Sequence, residues 1–294
     1  MKENLLVSVI IPVFNRKESL LKAIDSVLIQ GDQIAEIIVI DDASSIDIKG
    51  SLESIGSDKI QYYQNSENLG AAASRNIGVS KALSDWIAFL DSDDVWYAGK
   101  ITKQFNALNK NKAEICYSSV DTNSNKQLVA NYSDNILSPL LQKGNIVVGG
   151  FSGLLMKKKA FLNVGGINEK LKSRQDYELH LRLSLNNVKY TFVKESLLFF
   201  KTIGSDRITT NHYSRILGII RVLKLHKILF LNSKGYRYIY DFEELIFRIR
   251  LLNKPKTCNR LLFYFLKHYQ TSVQSLALTL SRFFRARVRN YIGK

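Results

Sequence analysis

Trp86-Ile87-Ala88-Phe89-Leu90-Asp91-Ser92-Asp93-Asp94 runs from five apolar residues straight into three carboxylates. The apolar part has the length and composition of a fully buried strand. At the carboxyl end of such a strand the aspartates repel one another unless positive charge offsets them. A hard divalent cation shared with phosphate oxygens does this well, so the stretch suggests a site for a metal-bound diphosphate. The competing reading is a solvated turn whose Ser and Asp side chains bond the local backbone.

Working outward, residues 7–12 form a first apolar strand that Pro12 closes. Asn15, with Glu18 three residues later, has the pattern of an N-cap and its capping-box partner. Leu20, Leu21, Ile24, Val27 and Leu28 then recur at helical spacing. A second strand over 35–40 ends in Asp41-Asp42, and 60–63 is a short third strand. The pattern predicts a loop over 65–70, helices over 71–83 and 101–108, and a strand over 113–118. Such alternation predicts an α/β fold with a doubly wound, mostly parallel sheet flanked by helices. Ligands of these sheets bind beyond the carboxyl ends of the strands, where Asp42 and Asp91 could meet in one crevice. Further on, glycine-rich residues 149–153 enter a strand, 164–168 make a turn, and 176–185 form a helix. From His212 the apolar spacing is helical, through Ile216, Ile219, Ile220 and Leu223 to Phe242, Leu245, Ile246 and Ile249.

The chain has 294 residues, 46% of them hydrophobic, which allows a sizeable core and excludes global disorder. Cys116 and Cys258 give no disulfide framework and fit a reducing compartment. The first residues lack a signal-peptide pattern, and no run of about 18 uncharged apolar residues is present to span a bilayer. The expectation is a soluble cytoplasmic protein. Net charge is +16, from 42 Lys+Arg against 26 Asp+Glu, with the excess lying after Lys157. Such an excess favours polyanions, anionic lipid or phosphorylated substrates.

Single motifs leave alternatives open. Asp42 can accept a hydrogen bond from a nucleobase N–H, such as uracil or guanine offers, or it can cap the next helix. Residues 68–78 join a tight turn to a helix rich in small residues, and Arg75 within it can pair with an anion. The same residues also describe a helix packed closely on a sheet, and the G-x-G-x-x-G fingerprint is absent. Asp176 opens a helix, either as a cap or as a general base for a sugar hydroxyl. The four histidines have no zinc-site spacing, and neither a Walker A loop nor a G-x-S-x-G elbow occurs.

Taken together, these segments resemble the inverting glycosyltransferases of family two, of the bacterial polysaccharide-assembly type. Residues 9–16 look like the family's opening strand, and Val39-Ile40-Asp41-Asp42-Ala43-Ser44 like its V-D-D-G-S, with Ala for Gly. Asn68-Leu69-Gly70 through Arg75-Asn76-Ile77-Gly78 is similar to N-x-G…A-R-N-x-G, with Ser for Ala. Asp91-Ser92-Asp93 matches D-x-D. Residues 165–169 and 175–179 resemble G-G-F-D-E…E-D-x-E-L, with Gln175 for Glu.

The resemblance implies a GT-A-type fold, and the helical spacing from His212 predicts a helical C-terminal extension outside the matching segments. Together they divide the chain into a nucleotide-sugar-binding half (1–118), an acceptor-binding and catalytic-base half (119–210) and a basic helical extension (211–294). Pro12, Asp42, Arg75 and Asp91 would bind the nucleotide, with Asp42 on the base. Asp93 would ligate Mg²⁺ or Mn²⁺, and Asp176 would be the catalytic base of an inverting displacement from a nucleotide-sugar donor, a UDP-sugar being favoured. The acceptor would be a hydroxyl of a glycan or lipid-linked molecule. A Q-x-x-R-W motif is absent, so transfer of a single sugar is expected. The family's Tyr-Arg-x-His segment is replaced by Phe200-Lys201-Thr202-Ile203, and Arg207 is expected to contact the diphosphate instead.

The last helix mixes Leu276, Leu278, Leu280, Phe283 and Phe284 with Arg282, Arg285, Arg287 and Arg289. This predicts peripheral attachment to an anionic membrane, on the inner face of the cell membrane; pairing into a homodimer fits the long helices equally. The main alternative is a non-catalytic basic protein binding nucleic acid or anionic membrane. Nucleic acid is not expected, because stacking aromatics among basic residues occur only in the tail. A sugar-nucleotide-forming enzyme would need a G-x-G-T-R loop where Pro12-Val13-Phe14-Asn15 stands.

Overall fold

The computed structural model describes residues 5–124, 126–201 and 212–232. Its centre is a sheet in which β1 (Val7–Val13), β2 (Ile34–Asp41), β3 (Ile60–Gln64) and β4 (Trp86–Phe89) run parallel in the order β3-β2-β1-β4. β1 and β4 are buried along their whole length, which is why they read as unbroken apolar runs. Ser8 in β1 is a buried polar exception, met by the buried Glu36 of neighbouring β2. Ser8 donates to Glu36 at 2.5 Å, and Glu36 also accepts from Gln61 at 2.8 Å and from the Leu83 N–H at 2.6 Å.

The parallel pattern stops at β4. Beyond it lie β8 (Leu155–Lys157), antiparallel to both β4 and β6 (Ile115–Thr122), and then β9 (Tyr190–Phe200), parallel to β6. β5 (Val95–Trp96) closes that edge against β9, and β7 (Gln127–Leu128) pairs with β6. The sheet is thus parallel in its first half and mixed in its second.

Helix α1 (Lys17–Leu28) packs on β2 and β5, α3 (Ala71–Lys81) on β1 and β2, and α4 (Lys100–Asn111) on β6 and β9. Short α2 (Lys49–Glu53) follows β2; α5 (Leu137–Lys143), α6 (Lys158–Asn163) and α7 (Gln175–Leu185) belong to the second half. One core cluster joins Val9, Ile11, Ile24, Ile37, Ala88, Ile101, Phe105 and Leu155.

By contact the chain divides into two units. The first is Met1–Leu140, Asn145–Lys170 and Gln175–Ser205; the second is Leu141–Gly144, Leu171–Arg174 and Asp206–Lys294. Within the second, α8 (His212–Leu225) and α9 (Lys227–Asn232) bury Ile219, Val222, Leu223 and Phe230. Ser173 donates to the Ser214 carbonyl at 3.0 Å. The helical pattern expected around Phe242–Ile249 and the basic tail lie outside the described residues.

Asn15 corrects one expectation. Arg16, not Asn15, stands at the N-cap of α1, and no side chain caps that helix. Asn15 has φ 51°, and its Oδ1 accepts from the Ser45 N–H at 2.8 Å while its N–H donates to Ser44 at 2.9 Å. The side chain thus joins the loops after β1 and β2 instead of turning back on its own helix. Long β9 escaped the sequence reading because Lys194 and Glu195 surface in its middle and break the apolar alternation.

Gly78 allows α3 to lie close on β1, since a Cβ there would meet Ile10 Cγ2 at 2.3 Å. A helix-interior Gly→Ala change ordinarily stabilises by about 1 kcal/mol. Here Gly78→Ala should instead destabilise by about 1–3 kcal/mol through overpacking, read as a lower urea midpoint at unchanged m.

Candidate functional site

Because β1, β2 and β4 are parallel, the loops after them open on one edge of the sheet. Asp41 and Asp42 stand at that edge, both buried. Asp41 accepts from the Ser44 N–H at 2.9 Å, the Tyr62 hydroxyl at 2.7 Å and Gln64 at 3.3 Å. Burial, then this hydrogen bond, raise the Tyr62 pKa. Asp42 reaches across to the entry of α3. Its Oδ1 accepts from Asn65 at 2.8 Å and from the Leu69 N–H at 2.9 Å, and its Oδ2 from the Gly70 N–H at 2.8 Å. It therefore holds the loop before the small-residue helix. Phe14, Ile46 and Leu69, on the loops of this edge, expose large apolar side chains.

The acidic stretch after β4 is a turn closed by the Asp94 N–H on the Asp91 carbonyl at 3.0 Å. Its three carboxylates have different surroundings. Asp94 points inward, only 1% exposed, accepting from the Ser152 hydroxyl at 2.6 Å and the Lys201 N–H at 2.9 Å. Burial first, and then the charge of Asp91, raise its pKa well above the carboxylate range, against the pull of those two donors. Asp91 pairs with the Arg75 guanidinium, and Asp93 with Arg16 at 3.1 Å.

Arg75 is almost wholly buried. Its guanidinium lies 4.4 Å from the centre of the Phe151 ring and donates to the Ala71 carbonyl at 3.3 Å. Its Nε has no hydrogen-bond partner among the described residues. A buried N–H in that state lacks an acceptor it should have.

Residues 149–153 sit against this turn. The Ser152 hydroxyl also accepts from the Asp91 N–H at 3.0 Å, and its carbonyl from the Trp96 indole at 3.0 Å. Gln104 donates to the Gly153 carbonyl at 2.9 Å and accepts from Lys100 at 2.7 Å. Lys100 is fully buried, 4.1 Å from the centre of the Trp96 ring. Neither Ser152 nor Arg16 stood out in the sequence. The only signals were a serine inside a glycine-rich stretch and an arginine directly after the first strand's Pro-Val-Phe-Asn.

The donor set fits a hard divalent cation. Asp91 and Asp93 offer carboxylate oxygens, whereas those of Asp94 are engaged inward. No three metal-ligating side chains come together among the described residues. One or two carboxylates completed by substrate phosphates and water is the usual arrangement for Mg²⁺. The orphaned Nε of Arg75 beside Asp91 adds a donor for an anionic ligand.

Residues 8–165 match the family model described as glycosyl transferase family 2. The chain belongs to glycosyl transferase family 2. A relative from Rickettsia prowazekii, named an uncharacterized glycosyltransferase, is 36% identical over 264 residues, covering 82% of this chain and 80% of its own length. The Escherichia coli UDP-Glc:alpha-D-GlcNAc-diphosphoundecaprenol beta-1,3-glucosyltransferase is 32% identical over 130 residues, covering 44% of this chain and 51% of that protein. Against the first curated relatives the match spans only 17% of their length. Among solved structures, a mannosyltransferase from Pyrobaculum calidifontis in complex with GDP-Man and Mn²⁺ superposes with a TM-score of 0.60 at 14% identity, covering 98% of this chain and 82% of that one. The expected GT-A-type α/β fold is present.

Of the remaining expected site residues, Pro12 lies in β1 opposite Ile40 and is buried. Asp176 is the second residue of α7, half-buried, and accepts from Asn145 at 2.7 Å. Arg207 lies outside the described residues.

Burial lowers the Lys100 pKa from 10.5 to about 7. The unfolded chain keeps that proton up to pH 10.5, so the cost of burying the charge is full below pH 7 and fades as pH rises from 7 towards 10.5. The stability of wild type relative to Lys100→Met should therefore rise between pH 6.5 and 9.5, by up to about 1.4 kcal/mol per pH unit. Urea denaturation of both proteins across this range checks the slope, and a flat difference would refute it.

Proposed function

We propose that this chain transfers a single sugar from a nucleotide-diphosphate donor, a UDP-sugar being favoured, to a hydroxyl of a glycan or lipid-linked acceptor, with inversion at the anomeric carbon. The observation that carries the reading is the acidic turn after β4, where Asp91 and Asp93 are matched by arginines at the ligand-binding edge of the sheet. Family membership gives that edge its chemistry. The E. coli relative, by its name, uses UDP-Glc and a diphosphoundecaprenol-linked acceptor, which supports the UDP-sugar and surface-polysaccharide assignments.

In this reading Pro12 and Asp42 shape the nucleoside pocket, Asp42 by fixing Leu69 and Gly70 as well as by facing the base. Arg75 and Asp91 bind the nucleotide, Arg207 meets the diphosphate, and Asp93 holds Mg²⁺ or Mn²⁺, as the Mn²⁺ complex of the structural neighbour supports. A bound cation would supply positive charge to the departing diphosphate. Asp176 takes the proton of the acceptor hydroxyl, whose oxygen bonds to the anomeric carbon as the bond to the diphosphate breaks. The Asn145 amide, on Asp176 Oδ2, orients the carboxylate.

Calorimetric titration with UDP, GDP and CMP, with and without Mn²⁺, tests the donor site. UDP should bind in a Mn²⁺-dependent manner, and Asp93→Ala should lose that dependence. Asp176→Asn should keep nucleotide binding while transfer falls by about 10²–10⁴-fold; loss of both together would assign Asp176 a structural role.

No helix among the described residues is long and apolar enough to cross a membrane. The basic tail, outside those residues, is proposed to hold the protein on an anionic surface where a lipid-linked acceptor resides. Co-sedimentation with phosphatidylglycerol vesicles should be strong at low salt, weaken with added salt, and be lost when the four tail arginines are replaced by glutamine.

A further inference from the structure

We propose that Arg16 is the resident counter-cation of Asp93, and that a divalent metal binds by displacing its guanidinium. The inference rests on the donor-site reading above. Arg16 Nη1 lies 3.1 Å from Asp93 Oδ2, with the side chains 25% and 7% exposed. Asp93 is thus too buried to be compensated by solvent alone, and its charge needs a partner. Arg16 makes no cap bond to α1, and its guanidinium reaches from the loop after β1 to the turn after β4.

A divalent cation arriving at Asp93 is repelled by a guanidinium already seated there. The two arginines of the turn differ in how they could respond. Arg75 is 5% exposed and fixed by the Phe151 ring and the Ala71 carbonyl. Arg16 is several times more exposed, so its head has the shorter way to water. The exchange therefore takes place at Asp93, while the Arg75–Asp91 pair stays. Once displaced, the Arg16 guanidinium regains charged acceptors when a diphosphate is present. Metal and nucleotide consequently reinforce each other's binding by equal factors.

The test is Mn²⁺ titration without nucleotide, followed by electron paramagnetic resonance, on wild type, Arg16→Gln, Arg16→Lys and Asp93→Asn. Arg16→Gln should bind Mn²⁺ several-fold more tightly than wild type. Arg16→Lys should stay close to wild type, and Asp93→Asn should lose the site. Adding UDP should tighten Mn²⁺ binding less in Arg16→Gln than in wild type. Arg16→Met, which keeps the aliphatic stem, repeats the test should the glutamine variant fold poorly. Unchanged or weaker Mn²⁺ binding in both uncharged variants, with Asp93→Asn still losing the metal, would overturn the counter-cation role alone. Equal Mn²⁺ affinity in Asp93→Asn and wild type, or no binding by any of the proteins, would overturn both it and the metal assignment.

Discussion

Negative charge gathered at one edge of the sheet is the constraint on which the rest of this structure depends. Asp41 and Asp42 end β2, and Asp91, Asp93 and Asp94 follow β4, the neighbour of β1 on its other side. Carboxylates in such positions cannot rely on bulk water, so each must be met by donors or cations from the protein. The donors come from the surrounding loops: Ser44, Tyr62 and Gln64 for Asp41, Asn65, Leu69 and Gly70 for Asp42, Arg75 for Asp91, Arg16 for Asp93, and Ser152 with Lys201 for Asp94. Each loop around the edge is placed by the carboxylate it serves.

This explains why residues 149–153 are rich in glycine. A Cβ on Gly153 would lie 2.9 Å from the Val148 carbonyl, and one on Gly149 would lie 2.7 Å from Val120 Cγ1, at a backbone φ of +79°. Only a chain without those side chains packs tightly enough to bring the Ser152 hydroxyl between Asp91 and Asp94. Trp96 and Gln104 then hold the loop from below through its carbonyls. The buried Lys100 completes that support, at a cost in charge desolvation that its displaced pKa records.

Much of the parallel first half was legible in the sequence because its strands are largely buried and its helices follow at short intervals. The runs at 7–12, 35–40 and 86–90 were found within a residue or two of β1, β2 and β4. The second half resisted for physical reasons. β5 has two residues, too few to show a period, and β9 turns its middle to solvent. The antiparallel insertion of β8 between β4 and β6 leaves no local mark at all, since pairing direction is decided by chain path. At the site, Arg75 and the acidic turn were visible as motifs. Their partners Arg16, Phe151 and Ser152 were not, because contact across 61, 76 or 77 positions carries no local pattern.

The stretch Asp91-Ser92-Asp93-Asp94 also shows why a motif alone does not assign a role. Asp93 and Asp94 are adjacent and chemically identical, yet their environments oppose one another. Asp94 is sealed against Ser152 and the Lys201 amide, and burial works to neutralise it. Asp93 instead faces the Arg16 guanidinium. The backbone turn separates the two carboxylates, giving one to Ser152 and the Lys201 amide and the other to Arg16. A sequence can supply both aspartates, but only the packing of Ser152 on one side and Arg16 on the other tells them apart.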